Sequence, residues 1–153
     1  MFERAKMHLE QYELADRIIE FPVSTATVYE AAKALNSTEG EIAKSLALFI
    51  EESPILIIVA GDKKIDNAKY KHKYNVKAKM IPYDQVESVI GHAAGGVCPF
   101  GINENVSVYL DKSLKKYEYI YPACGSHNSA VKLTIRDLEI SSGYIEWVDV
   151  CKD

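Results

Sequence analysis

An α/β fold is predicted for this chain: a mixed, strongly curved, barrel-like sheet of six or seven strands surrounded by helices. Three observations predict it. Two apolar runs, SLALFI at 45–50 and PILIIVA at 54–60, are separated only by Glu51, Glu52 and Ser53, which reads as two buried neighbouring strands and a tight turn. Further strand patterns crowd the second half of the chain, at 106–111, 117–123, 129–134 and 144–150. Helical periodicity is interspersed without the regular strand–helix alternation of a doubly wound sheet.

In chain order, Phe2, Ala5, Leu9 and Tyr12 repeat at helical spacing, and Ile18 and Ile19 continue the face. A first helix is therefore expected over about the first twenty residues, ended by Phe21-Pro22. Thr27 and Glu30 form a capping-box pattern for a second helix with Val28, Ala31, Ala32 and Leu35 on one face. Thr38 and Glu41 repeat the pattern for a short third helix. After the paired strands, DNAKYKHKYN reads as a basic helix, AKMI at 78–81 as a short strand, and YDQVESVI after Pro82 as another short helix. GHAAGGVCPFG, 91–101, is a glycine-rich loop, GSHN is a break between strands, and Thr134 with Asp137 caps a helical turn.

At 153 residues the chain is expected to be one domain, 1–153, without repeat or linker. Its 48% apolar and 26% charged residues suit a globular protein. No apolar run is long enough to span a bilayer, and the charged start MFERAKMHLEQ is unlike a signal peptide. The reading is a cytoplasmic protein with no membrane partner. Cys98, Cys124 and Cys151 and the four histidines are scattered, so no disulfide framework, metal site or cofactor is expected. The net charge is -4, yet seven lysines lie between Lys63 and Lys79. That segment is either a solvated helix face or a surface for a polyanion, with Tyr70 and Tyr74 as stacking rings or as a buried stripe.

Three places have the residue types for chemistry. Four of the eight glycines lie in GHAAGGVCPFG. Such a loop is either a crossover whose glycines serve its turns or a run of amides able to hold an anion or oxyanion. It fits neither nucleotide-binding glycine motif. Cys98 within it is either a nucleophile served by His92 or His127, or a small buried apolar residue. Lys44, before SLALFI, either keeps its charge in water or binds phosphate or a carbonyl. CGSHNSA, 124–130, is a hairpin turn that also offers hydroxyls and amides.

Taken together, TVYEAAKALNSTEGEIAKSLALFI, VAGDKKID, GGVCPFG and ACGSHNSAVKLTIRDL resemble the YbaK/EbsC family of free-standing aminoacyl-tRNA deacylases, related to the editing domain inserted in bacterial prolyl-tRNA synthetase. The resemblance covers about residues 25–140. It implies a mixed barrel-like sheet and hydrolysis of the ester joining a wrong amino acid to a tRNA. The family's functional lysine falls on Lys44, its glycine loop on Gly95, Gly96, Pro99 and Gly101, and its pocket turn on Gly125 and Ser126, with His127 beside them. Many members have serine where Cys98 stands, which makes Cys98 a pocket residue bearing on specificity. The implied substrate is tRNA(Pro) carrying a wrong small amino acid, with prolyl-tRNA synthetase as a second partner. Lys63, Lys64, Lys69, Lys71 and Lys73 would then meet the acceptor stem. Two other readings stand beside it: a non-catalytic regulator binding aminoacyl-tRNA or a synthetase, and a cysteine-dependent esterase using Cys98.

Overall fold

The computed structural model describes residues 1–153. Its long hairpin is β2 (Ile42–Ile50) with β3 (Ser53–Ala60), antiparallel from Ala43 opposite Ala60 to Ile50 opposite Ser53. Glu51 makes the turn in the left-handed conformation, φ 57°. β4 (Ser107–Asp111) runs parallel to β3, and β8 (Trp147–Val148) parallel to β4. On the other side, β5 (Tyr119–Pro122) runs parallel to β2, and β7 (Leu133–Thr134) antiparallel to β5. The six-stranded order is β7-β5-β2-β3-β4-β8, a mixed sheet curled into a half-barrel as expected. A separate antiparallel pair joins β1 (Ile18–Glu20) to β6 (Ser129–Val131).

β3 is central, and its period-two alternation serves two cores. Leu56, Ile58 and Ala60 enter the larger one, with Ala43, Ala47, Phe100 and Leu110. Ile55, Ile57 and Val59 enter the smaller one, with Leu48 and Tyr70. Of the helices, α1 (Phe2–Glu10) and α4 (Val86–Ile90) send Leu9 and Ile90 to the larger core. α2 (Val28–Leu35) packs Ala31 and Ala32 on Ile42. α3 (Asn67–Tyr74) covers the opposite face, where Tyr70 and Tyr74 pack 4.8 Å apart between ring centroids. α5 (Ile135–Ser141) follows β7, with Thr134 and Asp137 forming its capping box.

Four local expectations are corrected. The first helix ends at Glu10, and Ile18 and Ile19 belong to β1, opposite Val131 and Ala130. Their hydrophobicity matches a helical face in sequence but is satisfied by a strand partner a hundred residues away. Residues 78–81 make only an isolated bridge, Leu48 to Met80, so no strand forms there. Residues 129–134 split at Lys132 because β6 and β7 pair with different strands. Thr38 and Glu41 do form a capping box, but over a 3-10 turn, Glu39–Glu41, that runs straight into β2.

Candidate active site

The two glycine-bearing motifs meet backbone to backbone. The Gly125 amide donates to the Gly96 carbonyl at 3.0 Å. A Cβ on Gly96 would stand 2.7 Å from the Gly125 carbonyl carbon and the Ser126 nitrogen. Gly125 itself has φ +82°, open to glycine at no steric cost. Gly96 thus permits the crossing by having no Cβ, while a Cβ on Gly125 would meet the Met1 carbonyl oxygen at 2.6 Å. Beside the crossing lies a cavity of about 300 Å³, lined by Gly95 and Val97 but not by Gly96, Gly125, Ser126 or His127.

The cavity walls come from five stretches of chain: 25–31, 42–47, 80–86, 94–97 and 121–130. The α2 capping box shapes the first. Thr27 accepts from the Glu30 amide at 3.1 Å, while the Thr27 amide donates to the Glu30 carboxylate at 3.2 Å. The Thr25 amide then donates to the His127 carbonyl at 2.6 Å, tying this wall to the GSHN turn. Seven lining residues are alanines, whose short side chains leave the interior open.

Polar groups are few and specific. The Gly96 amide is occupied by the Ala93 carbonyl at 3.0 Å. The amides of Ala94, Gly95 and Val97, all cavity-lining residues, have no partner within the protein. Ser129 Oγ lies at the wall, 2.6 Å from Ser126 Oγ, which also donates to Asn128 Oδ1 at 3.0 Å. Ser45 Oγ is buried without a partner on the strand face shared with Ala43 and Ala47.

The remaining sequence-derived residues divide. Lys44 borders the cavity, but its ammonium donates to the Lys63 carbonyl at 2.8 Å. Burial lowers its pKa from the ordinary lysine value, and Cys151 and Asp62 pull it back in part. Cys98, Pro99 and Gly101 do not line the cavity. Cys98 is fully buried, its Sγ 3.6 Å from both His92 Nε2 and the Phe100 carbonyl, and burial pushes its thiol far above the ordinary range. That is the environment of an inert core thiol, not of a nucleophile. Gly101 donates its amide to His8 Nδ1 at 3.1 Å, so the loop's end is held by α1. His127 is exposed beside Gly95, its Cβ 3.8 Å from the position a Gly95 Cβ would take.

The lysine helix lies on the other face of the sheet. Lys69 pairs with Asp149 at 3.3 Å and Asp153 at 2.9 Å, and Lys73 with Glu146 at 2.8 Å. Lys64 and Lys71 are exposed and outside any ion pair. Tyr70 is buried, so the stripe reading holds for it and it is no stacking ring. No group of three or more His, Cys, Asp and Glu side chains is placed to hold a metal ion. No helix is long and apolar enough to cross a membrane.

Sequence reasoning missed Thr25, Ser45, Met80, Tyr83 and Ser129 as wall residues. Only the capping box at Thr27 was visible as a local signal, and it marks a helix start rather than a wall.

The family model for the aminoacyl-tRNA editing domain matches residues 23–140. YwhH of Bacillus subtilis (strain 168), an uncharacterized protein, is 44% identical over 149 residues, covering 97% of this chain and 95% of YwhH. EbsC of Enterococcus faecalis (strain ATCC 700802 / V583), described as a candidate Cys-tRNA(Pro)/Cys-tRNA(Cys) deacylase, is 24% identical over 135 residues, covering 87% of this chain and 79% of EbsC. A crystal structure described as a candidate trans-editing enzyme for prolyl tRNA synthetase superposes with a TM-score of 0.88 at 28% identity, covering 99% of this chain and 97% of that one.

Proposed function

This chain belongs to the aminoacyl-tRNA editing domain family, and from that premise we propose that it is a trans-editing hydrolase of misacylated tRNA. The substrate is tRNA(Pro) carrying a wrong small amino acid, and the error corrected is that of prolyl-tRNA synthetase. The reaction belongs in the cytoplasm, where charged tRNA is found. The observation that carries the reading is the cavity lined by alanines beside the unpartnered amides of Gly95 and Val97.

In this reading the aminoacyl side chain enters the alanine-lined interior. The ester carbonyl oxygen lies against the Gly95 and Val97 amides. Water adds to the carbonyl carbon, the amides stabilise the negative charge that develops, and the ribose oxygen leaves with a proton. Gly96 and Gly125 serve by their crossing, which sets the loop, rather than by donating. The Ser126–Ser129 hydroxyl pair offers the wall a polar anchor. Lys44 exchanges its carbonyl partner for the terminal phosphate, a stronger charge-assisted contact. Wall sterics sort amino acids by size, at about 1 to 3 kcal/mol for each methylene.

The test is a panel of mischarged tRNAs given to the wild type and to Lys44→Ala. Hydrolysis of a subset by the wild type is expected, with kcat/KM of the variant lower by about 10- to 100-fold, the scale of one lost charge-assisted hydrogen bond. Full activity in the variant, or tRNA binding without hydrolysis of any ester, defeats the reading, and the second result makes the protein a binding regulator.

A further inference from the structure

The cavity is too small for the whole end of a tRNA. At about 300 Å³ it lies at the bottom of the range that encloses a drug-sized ligand, roughly 300 to 1,000 Å³. It takes an aminoacyl group and part of a ribose, and leaves the attached base outside. Such a base needs a surface at the mouth. Among the large apolar side chains that stand exposed, two line the cavity: Tyr83, 82% exposed, and Met80, 52% exposed.

Both ride on firm backbone. The Ile81 amide between them donates to the Ala47 carbonyl of β2 at 3.0 Å, and Ile81 itself is buried. Pro82 opens the 3-10 turn Tyr83–Gln85, and the Gln85 amide closes it on the Pro82 carbonyl at 2.8 Å. Val86, next in the chain, is buried in the larger core. The Tyr83 ring thus stands in solvent on a turn anchored at both ends. Exposing an aromatic ring there has no benefit for folding. The chain leading into Met80 carries Lys77 and Lys79, both exposed and in no ion pair.

We propose that Tyr83, backed by Met80, is the stacking platform for the terminal nucleobase of a tRNA 3′ end, with Lys77 and Lys79 taking the phosphates of the nucleotides before it. This rests on the editing reading and adds a place for the part of the substrate the cavity cannot hold. An aromatic face accepts a base without hydrogen-bond readout, and lysines give phosphate affinity without sequence reading.

The experiment has two arms. In the first, an uncharged RNA hairpin with a single-stranded CCA end is titrated with protein and followed by fluorescence anisotropy. Tyr83→Ala should weaken binding by about 5- to 100-fold, the range of one lost base–aromatic stack. Tyr83→Phe, which keeps the ring, should restore it. Tyr29→Ala, an exposed aromatic that does not line the cavity, should change nothing. A hairpin lacking the terminal adenosine should lose the dependence on Tyr83. In the second arm, deacylation of mischarged tRNA by Tyr83→Ala should show a raised KM with kcat retained. Equal binding by wild type and Tyr83→Ala overturns the platform, as does a Tyr83 effect that persists without the terminal adenosine. Deacylation with an unchanged KM leaves editing standing and removes the platform. Tyr83-dependent binding without deacylation of any ester does the reverse.

Discussion

The two faces of the curled sheet are built from different materials. On the cavity face, the decisive residues are ones with nothing beyond the backbone: a Cβ on Gly96 would strike Gly125, and one on Gly125 would strike Met1. On the α3 face, the conspicuous residues are long: Lys44 reaching the Lys63 carbonyl, Lys69 and Lys73 in ion pairs, and the tilted Tyr70–Tyr74 pair. A site defined by missing side chains tolerates no substitution, because any added atom meets backbone. A face defined by charges tolerates many, because one exposed lysine substitutes for another in water. The first face carries the cavity, and Lys44, whose ammonium is held at the Lys63 carbonyl on the second, borders it as well.

The largest effect that would break this contrast is at Gly96. Gly96→Ala puts a methyl 2.7 Å from Gly125 and Ser126 backbone. A shift of the loop by a fraction of an ångström should lower deacylation by about 100-fold, as misplacement near reacting atoms does. Single-turnover rates on a mischarged tRNA check it; a near-normal rate would show that the crossing does not set the site.

A smaller effect concerns His92, fully buried within the same loop with Nε2 2.6 Å from the Phe100 carbonyl. Burial lowers its pKa from 6.5, ahead of any other influence. The folded state therefore refuses a proton that the unfolded chain accepts. Above about pH 6.5 both states are neutral and nothing is lost; below it, stability falls until the folded-state pKa is reached. The loss is at most about tenfold in the folding equilibrium per pH unit. Urea midpoints at about pH 7.5 and 5.5 should separate more in the wild type than in His92→Gln. Equal separation would remove His92 from the acid response.

The smallest effect sharpens which face meets RNA. Lys79→Ala should reduce the slope of log binding constant against log salt by about 1, and Lys71→Ala should leave it unchanged. The reverse result would return the RNA surface to α3.

Much of this contrast was legible beforehand, and unevenly so. The β2–β3 hairpin declared itself because both strands are buried and adjacent in sequence. α2 declared itself because Thr27 and Glu30 close a local hydrogen-bond ring. The three motifs, read together, carry the family resemblance and contain both Gly96 and Gly125. Other features depend on distance across the fold, which no local pattern encodes. β1 needs a partner at Ala130, and the lysine helix gives no sign of which sheet face it covers. Cys98 stands beside cavity residues in the chain yet is buried in the larger core. Tyr83 carries no motif; only its exposure at a cavity mouth singles it out.

The five-stretch construction of the cavity wall also bears on when the protein becomes competent during synthesis. The β2–β3 hairpin closes on neighbours in sequence and needs only the first 60 residues. The far wall waits for Ala123 and Ala130, and β1 waits for β6. Chains emerge from the ribosome amino end first, at about 5 to 20 residues per second, so the hairpin's residues are made seconds before those of the cavity's far wall. Throughout that interval a half-made copy has no complete cavity, because the 121–130 wall is not yet made.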